Sequence, residues 1–489
     1  MKQTFTVILI LCLVHLCAGQ ASLVKVKNKT YKTTKEVNVK GQVGYLEVLE
    51  NRQTPRSRKI QVKYIWLKSL AENPTAPVVY LEGGGGTSTW QAEDPQELAY
   101  WLELLKTSDL IFVDRRGTKD KKLEYRWKGN FPENFFVSEQ AADLHYQNMA
   151  AAALKAFEER GVDVKGYTIE SHAQDVHELM GALGIDRYAI FGFSFGSHIG
   201  MAAMQLFPDE IVRAIFAGAD APNQSFNYPR YLDLHIEKIA QMVAADTSLR
   251  QQIPDFTALV EKVMEKLAEK PVTVTVRNPL TLKKMPVKIG AFGLGLILRL
   301  DIDDYNDIPV IPRLLYTLDQ GNTDILSWFV QKRLKYSLGV TGNGINQQLA
   351  SGVDPARWAT IEQQAAESLF GHAVNFPFSA VKDHWIDQSM SFDPALPVET
   401  DIPTLFITGT LDCRTPVAQV DETMKGFQRA VHVKVENAGH EQAYWDREVN
   451  DEIIPAFLRG EKIKKTEVYY ADLKFIPVTG AETGHPSLK

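Results

Sequence analysis

The stretch Phe191-Gly192-Phe193-Ser194-Phe195-Gly196-Ser197 joins an apolar strand-like run, Arg187 to Phe191, to a helix-like run, His198 to Phe207. Ser194 stands at the joint. A serine pushed out at a sharp strand-to-helix turn leaves almost no room for side chains two positions before and after it, and Gly192 and Gly196 meet that demand. Such a serine can attack a carbonyl carbon once a base takes its proton. A plain Gly/Ser turn beside a buried strand is the alternative, and the strand before and helix after argue against it.

The chemistry then requires a base titrating near neutrality and a carboxylate that fixes its tautomer. Pro403 to Gly409 reads as a buried strand, and Thr410-Leu411-Asp412 follows it in a turn that ends at a helix start, Thr415-Pro416. Asp412 is the candidate acid. Val431 to Val435 alternates as a strand does, and Glu436-Asn437-Ala438-Gly439-His440 is the loop leaving it. His440 is the candidate base. Asp220, in Phe216-Ala217-Gly218-Ala219-Asp220 after the next predicted strand, is a rival acid, and His198, four residues past the serine, is a rival base with packing under the turn as its other role.

A glycine run, Glu82-Gly83-Gly84-Gly85-Gly86-Thr87-Ser88, follows the apolar strand Val78 to Leu81. Backbone N–H groups of Gly83 or Gly84, with that of Phe195, can point at a developing oxyanion. A phosphate-cradling loop is the competing reading, and it is disfavoured because no Walker lysine follows and no GxGxxG spacing opens a helix here. The serine elbow and the order serine, acid, histidine predict an α/β-hydrolase fold, with each catalytic residue at the carboxyl end of a strand.

The motifs Gly44 to Arg52, Leu81 to Ser88, Asp114-Arg115-Arg116-Gly117-Thr118, Tyr167-Thr168, Gly192 to Gly196, Gly409 to Asp412 and Gly439-His440 occur in one order. In that order the chain resembles proline iminopeptidase-like hydrolases, and within them the secreted, tripeptidyl-aminopeptidase-like branch. The resemblance runs from about Gly44 to about Gly460. It implies a serine exopeptidase acting at peptide N-termini, in a group that also contains esterases. Three departures stand out. The family's oxyanion segment usually reads Gly-Gly-Pro-Gly, often after His, whereas Glu82 and four glycines stand here, which removes a φ restraint. Phe193 occupies a position where small residues are frequent, and a cysteine pair found in the lid of some secreted members is missing.

The elements that must position these residues follow from the patterning. Glu36 to Leu49 and Lys59 to Leu67 alternate as an antiparallel pair, and Val78 to Leu81 and Leu110 to Val113 read as buried strands. Ile169 to Leu183 is an amphipathic helix leading to the elbow strand, and Asp114-Arg115-Arg116-Gly117 is expected to bracket the floor of the site by ion pairing. From 222 to 396 the pattern is mainly helical, broken by a hairpin at Val272 to Val276 and Met285 to Ile289. The expected organisation is a signal peptide at 1–21, a hydrolase core at 22–221, a helical lid at 222–396, and the rest of the core with a tail at 397–489 whose residues 468–478 are strand-like.

At 489 residues and 45% hydrophobic, the chain can bury a large core. The apolar run Phe5 to Cys17 after Lys2, followed by small residues, reads as a secretory signal too short to span a membrane, which predicts a periplasmic or extracellular protein. The net charge of −6 gives no support to nucleic-acid binding. Cys12 and Cys17 fall in the signal, so Cys413 alone remains, as a packing residue, and a disulfide within the chain is excluded. No histidine or cysteine cluster has metal-ligand spacing; His172 and His177 are expected on a helix surface. The mechanism needs no cofactor.

The leading expectation is an extracytoplasmic serine hydrolase taking a peptide or small ester substrate, with aminopeptidase preferred over carboxylesterase. A non-catalytic binding protein on the same fold is the competing class. An exopeptidase must recognise a protonated amine, and Glu82 and the acids of Asp301-Ile302-Asp303-Asp304-Tyr305, chiefly Asp303 and Asp304, are the candidates.

Overall fold

The computed structural model describes residues 21–279, 281–386 and 388–480. The expected signal segment lies outside the described residues except for Ala21, as does the polar end of the tail from residue 481. Fourteen strands occur among the described residues: β1 (Ser22–Lys32), β2 (Asn38–Leu49), β3 (Lys59–Leu67), β4 (Thr75–Leu81), β5 (Ser108–Val113), β6 (Glu124–Arg126), β7 (Tyr188–Phe193), β8 (Ile211–Ala217), β9 (Val272–Arg277), β10 (Lys284–Ile289), β11 (Gly339–Thr341), β12 (Thr404–Gly409), β13 (Ala430–Glu436) and β14 (Glu467–Tyr469).

Ten of them form one sheet in the order β1-β2-β3-β5-β4-β7-β8-β12-β13-β14. β1, β2, β3 and β5 pair antiparallel, and every pairing from β5–β4 onward is parallel. This is the mostly parallel sheet with an antiparallel N-terminal part that the patterning predicts. Every residue of β7 and β12 is buried, as continuous apolar runs in the middle of a doubly covered sheet must be. Alternate residues feed two cores: Val79, Leu81 and Ile190 pack on one face, and Val78, Tyr80 and Phe191 on the other.

β1 is absent from the expectations because its sequence, SLVKVKNKTYK, carries four lysines and no sustained apolar alternation. It is an edge strand whose side chains are mostly exposed, and lysine at an edge discourages further pairing. β14 is shorter than expected. Beyond it the chain leaves the sheet: Ile476 and Val478 are buried in the larger core, and the Ile476 N–H donates to Pro309 O at 3.0 Å.

Between β8 and β12 the chain is mainly helical, with Pro229–Ala245, Phe256–Glu269, Ala291–Asp301, Asp324–Arg333 and Pro355–Glu367 among its helices. Two of these helices start on a side-chain cap: Asp255 accepts from Ala258 N–H at 2.9 Å, and Asp354 accepts from the Ala356 and Arg357 N–H groups. β9 and β10 form the expected hairpin, and β11 pairs with β6 to tie this region to the loops over the sheet. One apolar cluster runs from the sheet face into these helices without a break.

Candidate active site

Ser194 lies between the end of β7 and the helix Phe195–Leu206 with φ +50° and ψ −125°, a strained conformation for a residue with a Cβ. What forces it is the packing on either side. A Cβ on Gly196 would sit 1.9 Å from Leu81 O, and one on Gly192 would sit 2.7 Å from Gly196 O, so only glycines let the helix come this close to β4. Ser194 N–H donates to Ala217 O and its carbonyl accepts from Ser197, so the turn is fixed on both sides.

Asp412 and His440 come together at the same end of the sheet, after β12 and β13. His440 Nδ1 lies 2.7 Å from Asp412 Oδ2. The carboxylate also accepts from Thr415 Oγ1 at 2.6 Å, Thr415 N–H at 3.0 Å and Arg414 N–H at 2.9 Å. Burial works against the Asp412 charge, but His440 and these donors outweigh it and hold the carboxyl well below its ordinary range. Burial likewise disfavours the His440 imidazolium, yet the Asp412 charge and hydrogen bond prevail and raise it above the ordinary histidine value. His440 Nε2 is buried with no hydrogen-bond partner and is not bonded to the Ser194 hydroxyl in this structure.

The rival pair is arranged differently. His198 is fully buried, stacks on Phe195 with ring centroids 4.8 Å apart, and bonds Ser351 Oγ through Nε2 at 2.8 Å. Asp220 lies 3.6 Å from His198 Nδ1, and its carboxylate has no hydrogen bond among the described residues.

The glycine run forms a tight turn closed by Gly86 N–H to Gly83 O at 2.9 Å. Its two candidate donors differ. Gly83 N–H is already bonded to Glu82 Oε1 at 2.8 Å, whereas the N–H groups of Gly84 and Phe195 have no acceptor among the described residues. A Cβ on Gly84 would meet nothing within 4 Å, so that backbone faces open space. Arg115 supplies the restraint that the missing proline would have given: its Nη2 donates to Gly84 O at 2.6 Å and its backbone N–H to Gly86 O at 2.7 Å.

A cavity of about 920 Å³ opens over Ser194, with Gly84, Phe195, Asp220 and Thr415 on its wall. The three acids expected to meet a substrate amine are not on that wall. Glu82 is turned away to Gly83 N–H and Gln91, whose Nε2 donates to it at 2.5 Å, and burial raises its carboxyl. Asp303 is buried and ion-paired with Arg414. Asp304 accepts from Asn306 N–H in its own turn. Asp220 is the carboxylate that sequence reasoning left out of this role; its place after β8, beside the elbow, was the available signal.

Of the turn expected to bracket the floor by ion pairing, Arg116 forms an ion pair among the described residues, whereas Asp114 and Arg115 are held by hydrogen bonds. Arg116 is fully buried, lies 2.6 Å from Asp175 Oδ1, and donates to Glu50 O and Gly166 O, while Asp114 accepts from Ser88 and Thr89. Arg52 shares Asp175. His172 corrects its expectation. It is buried beside this network, 2.6 Å from Gln347 Nε2, and burial drives its imidazole far below the ordinary value; His177 is half-buried and pairs with Glu210. Cys413 is free and buried, which raises its thiol. No group of His, Cys, Asp and Glu able to hold a metal occurs among the described residues, and no helix among them is long and apolar enough to cross a membrane.

Residues 77–286 match a family described as the alpha/beta hydrolase fold, and residues 381–469 match one described as TAP-like protein. No curated protein matches the chain. Among solved structures, it is similar to an esterase from Exiguobacterium antarcticum, 14% identical over 88% of this chain and 100% of that one, with a TM-score of 0.37. A bromoperoxidase from Bacillus anthracis is 14% identical over 88% of this chain and 100% of that one, with a TM-score of 0.35. An alpha/beta hydrolase fold protein from Chitinophaga pinensis is 14% identical over 81% and 94%, also at 0.35. The strained serine between β7 and its helix, in a sheet of this order and within the matched residues, makes the chain an α/β-hydrolase-fold protein.

Proposed function

We propose that this α/β-hydrolase is an extracytoplasmic serine hydrolase that releases N-terminal residues or short peptides through an acyl-enzyme on Ser194. The observation that carries the reading is the 2.7 Å contact between His440 Nδ1 and Asp412, with Nε2 left free for a proton. With substrate bound, Nε2 accepts the Ser194 proton as Oγ attacks the carbonyl carbon. The resulting oxyanion takes hydrogen bonds from the free N–H groups of Gly84 and Phe195. His440 then gives the proton to the leaving amine, and water enters by the same route to release the acyl group. Asp412 stays ionised throughout and stabilises the imidazolium.

The aminopeptidase part is supported by the TAP-like match at 381–469 and by Asp220, whose carboxylate faces the cavity with no hydrogen-bond donor on it. An esterase is the second reading, favoured by the apolar side chains Tyr146, Leu338, Phe376 and Phe378 on the same wall. Export rests on the apolar segment Phe5 to Cys17.

Ser194→Ala should abolish both turnover and labelling by a fluorophosphonate, a loss of several powers of ten in kcat with folding intact. Full labelling of that variant would remove Ser194 from the mechanism. Matched free-amine and N-acetylated peptide arylamides then separate the two readings, since equal use of both leaves an esterase.

A further inference from the structure

The chain as a whole is acidic, yet the wall of the cavity over Ser194 is basic. Arg115, Arg126, Arg299, Lys335 and Arg414 line it, against the two carboxylates of Glu124 and Asp220. These cations are not equivalent. Arg414 is ion-paired with Asp303, and Arg115 is engaged with the glycine turn. Arg126 and Lys335 are exposed, where water solvates them.

Arg299 is sheltered and has no carboxylate bonded to it among the described residues, although the charge of Asp303, itself paired with Arg414, reaches it. It projects from the helix Ala291–Asp301, and its Nε donates to Val374 O at 2.7 Å. Its two Nη groups have no acceptor among the described residues, and no carboxylate lies within ion-pair distance. Burial first, and the neighbouring Arg414 second, lower its pKa, so holding a charged guanidinium there costs free energy. An unpaired charge in a partly desolvated wall is costly unless a ligand of opposite charge completes it.

We infer that the cavity binds a substrate carboxylate at Arg299, the planar guanidinium presenting its free Nη groups to the two oxygens. The inference rests on the acyl-transfer reading of Ser194 and names its substrate class: short peptides that carry a carboxylate as well as the free amine. With Asp220 the wall presents a sheltered cation and a carboxylate to a single ligand, which suits a short zwitterionic chain better than an internal stretch of a long polypeptide. The carboxylate is that of the peptide's own C-terminus or of an acidic side chain.

The test compares kcat/KM for unblocked tripeptides of one sequence ending in a carboxylate or in an amide, and for an amide-ended tripeptide containing glutamate. Wild type should prefer a carboxylate-bearing peptide. Arg299→Gln should shrink that preference by about 10- to 100-fold, and Arg299→Lys should keep part of it. A preference for the acid end over the amide assigns the chain terminus, and a preference that appears only with glutamate assigns the side chain. No preference in wild type overturns the inference, as does an Arg299→Gln variant that loses acid and amide peptides in equal proportion. Fluorophosphonate labelling of wild type separates the two levels: labelling without carboxylate preference defeats only this inference, whereas absence of labelling defeats the hydrolase mechanism beneath it. If Arg299→Gln does not fold, the wild-type comparison and Arg299→Lys still decide.

Discussion

Arg115 Nη2 donates to the Gly84 carbonyl at 2.6 Å, and the Arg115 backbone N–H holds the Gly86 carbonyl two residues further along the same turn. Gly86 has φ +66°, and a Cβ there would fall 2.2 Å from Arg115 Nε, so the glycine and the guanidinium fit only together. The arginine restrains a turn that would otherwise keep the freedom of four consecutive glycines. Burial lowers the Arg115 guanidinium to about 10, with the Glu82 charge opposing, so the group still carries its charge at neutral pH.

Removing that strut should loosen the Gly84 N–H without touching the serine. Arg115→Met is expected to lower kcat by about 10- to 100-fold with a smaller change in KM, because misplacing an oxyanion donor penalises the transition state more than the bound substrate. Steady-state kinetics on one arylamide, with KM and kcat reported separately, provides the check. A KM effect alone would make Arg115 a substrate contact.

The His440–Asp412 pair fixes a pH dependence. His440 must be neutral to act as base, and its pKa in the folded protein is raised above the ordinary 6.5, so the protonated, inactive form persists to higher pH than for a free histidine. The acid limb of kcat/KM should therefore lie above pH 6.5. Asp412→Asn removes the charge that favours the imidazolium, so the limb should move to lower pH while the rate falls by about four powers of ten through the wrong tautomer. A limb that stays in place in folded Asp412→Asn would mean that another group sets it.

Most of the elements that present these residues were legible in the chain because continuous apolar runs and Gly/Pro punctuation mark them: β7, β12 and the turn to Asp412 each carry a signal within ten residues. Charge partners were not legible. That Asp303 faces Arg414, 111 positions along the chain, or that Asp220 lines the cavity, depends on contacts between distant segments, and nothing local encodes them. His172 was misjudged for the same reason. Its helix is amphipathic, but the face it occupies is covered by Gln347 from the helical region, which no periodicity in 169–183 reveals.

Gly84 can be tested directly as the oxyanion donor. Gly83 is a poor site for substitution, since a Cβ there would meet Ser194 Cβ at 3.0 Å and its N–H belongs to Glu82. Gly84→Pro deletes a donor at a position with open space around it, and kcat should fall by roughly two to three powers of ten with little change in KM. Retained kcat would exclude the Gly84 N–H from the hole.

The buried ion network sets a stability prediction. Asp175 is shared by Arg52 and the fully buried Arg116, and the two arginines hold its carboxyl at about 2 despite burial. Asp175→Asn leaves Arg116 without its counter-charge, which should cost about 3–5 kcal/mol and show as a lowered urea midpoint. An unchanged midpoint would mean that the backbone acceptors Glu50 O and Gly166 O suffice for Arg116.

On the aminopeptidase reading proposed above, Asp220 is the residue that would meet the substrate amine. It lines the cavity near the elbow, its carboxylate has no hydrogen bond among the described residues, and it lies 3.6 Å from a histidine that is committed to Ser351 through its other nitrogen. A protonated substrate amine would gain a charge-assisted bond there in a setting partly shielded from water. Asp220→Asn keeps the shape and removes the charge, so KM for free-amine arylamides should rise by about 10-fold or more, while N-acetylated arylamides and neutral aryl esters, which have no amine charge to lose, should change little. The same substitution separates two roles for this carboxylate, because an Asp220 that served His440 as triad acid would depress kcat for every substrate alike. A uniform kcat loss would transfer the acid role from Asp412 to Asp220 and remove Asp220 as the partner of the substrate amine.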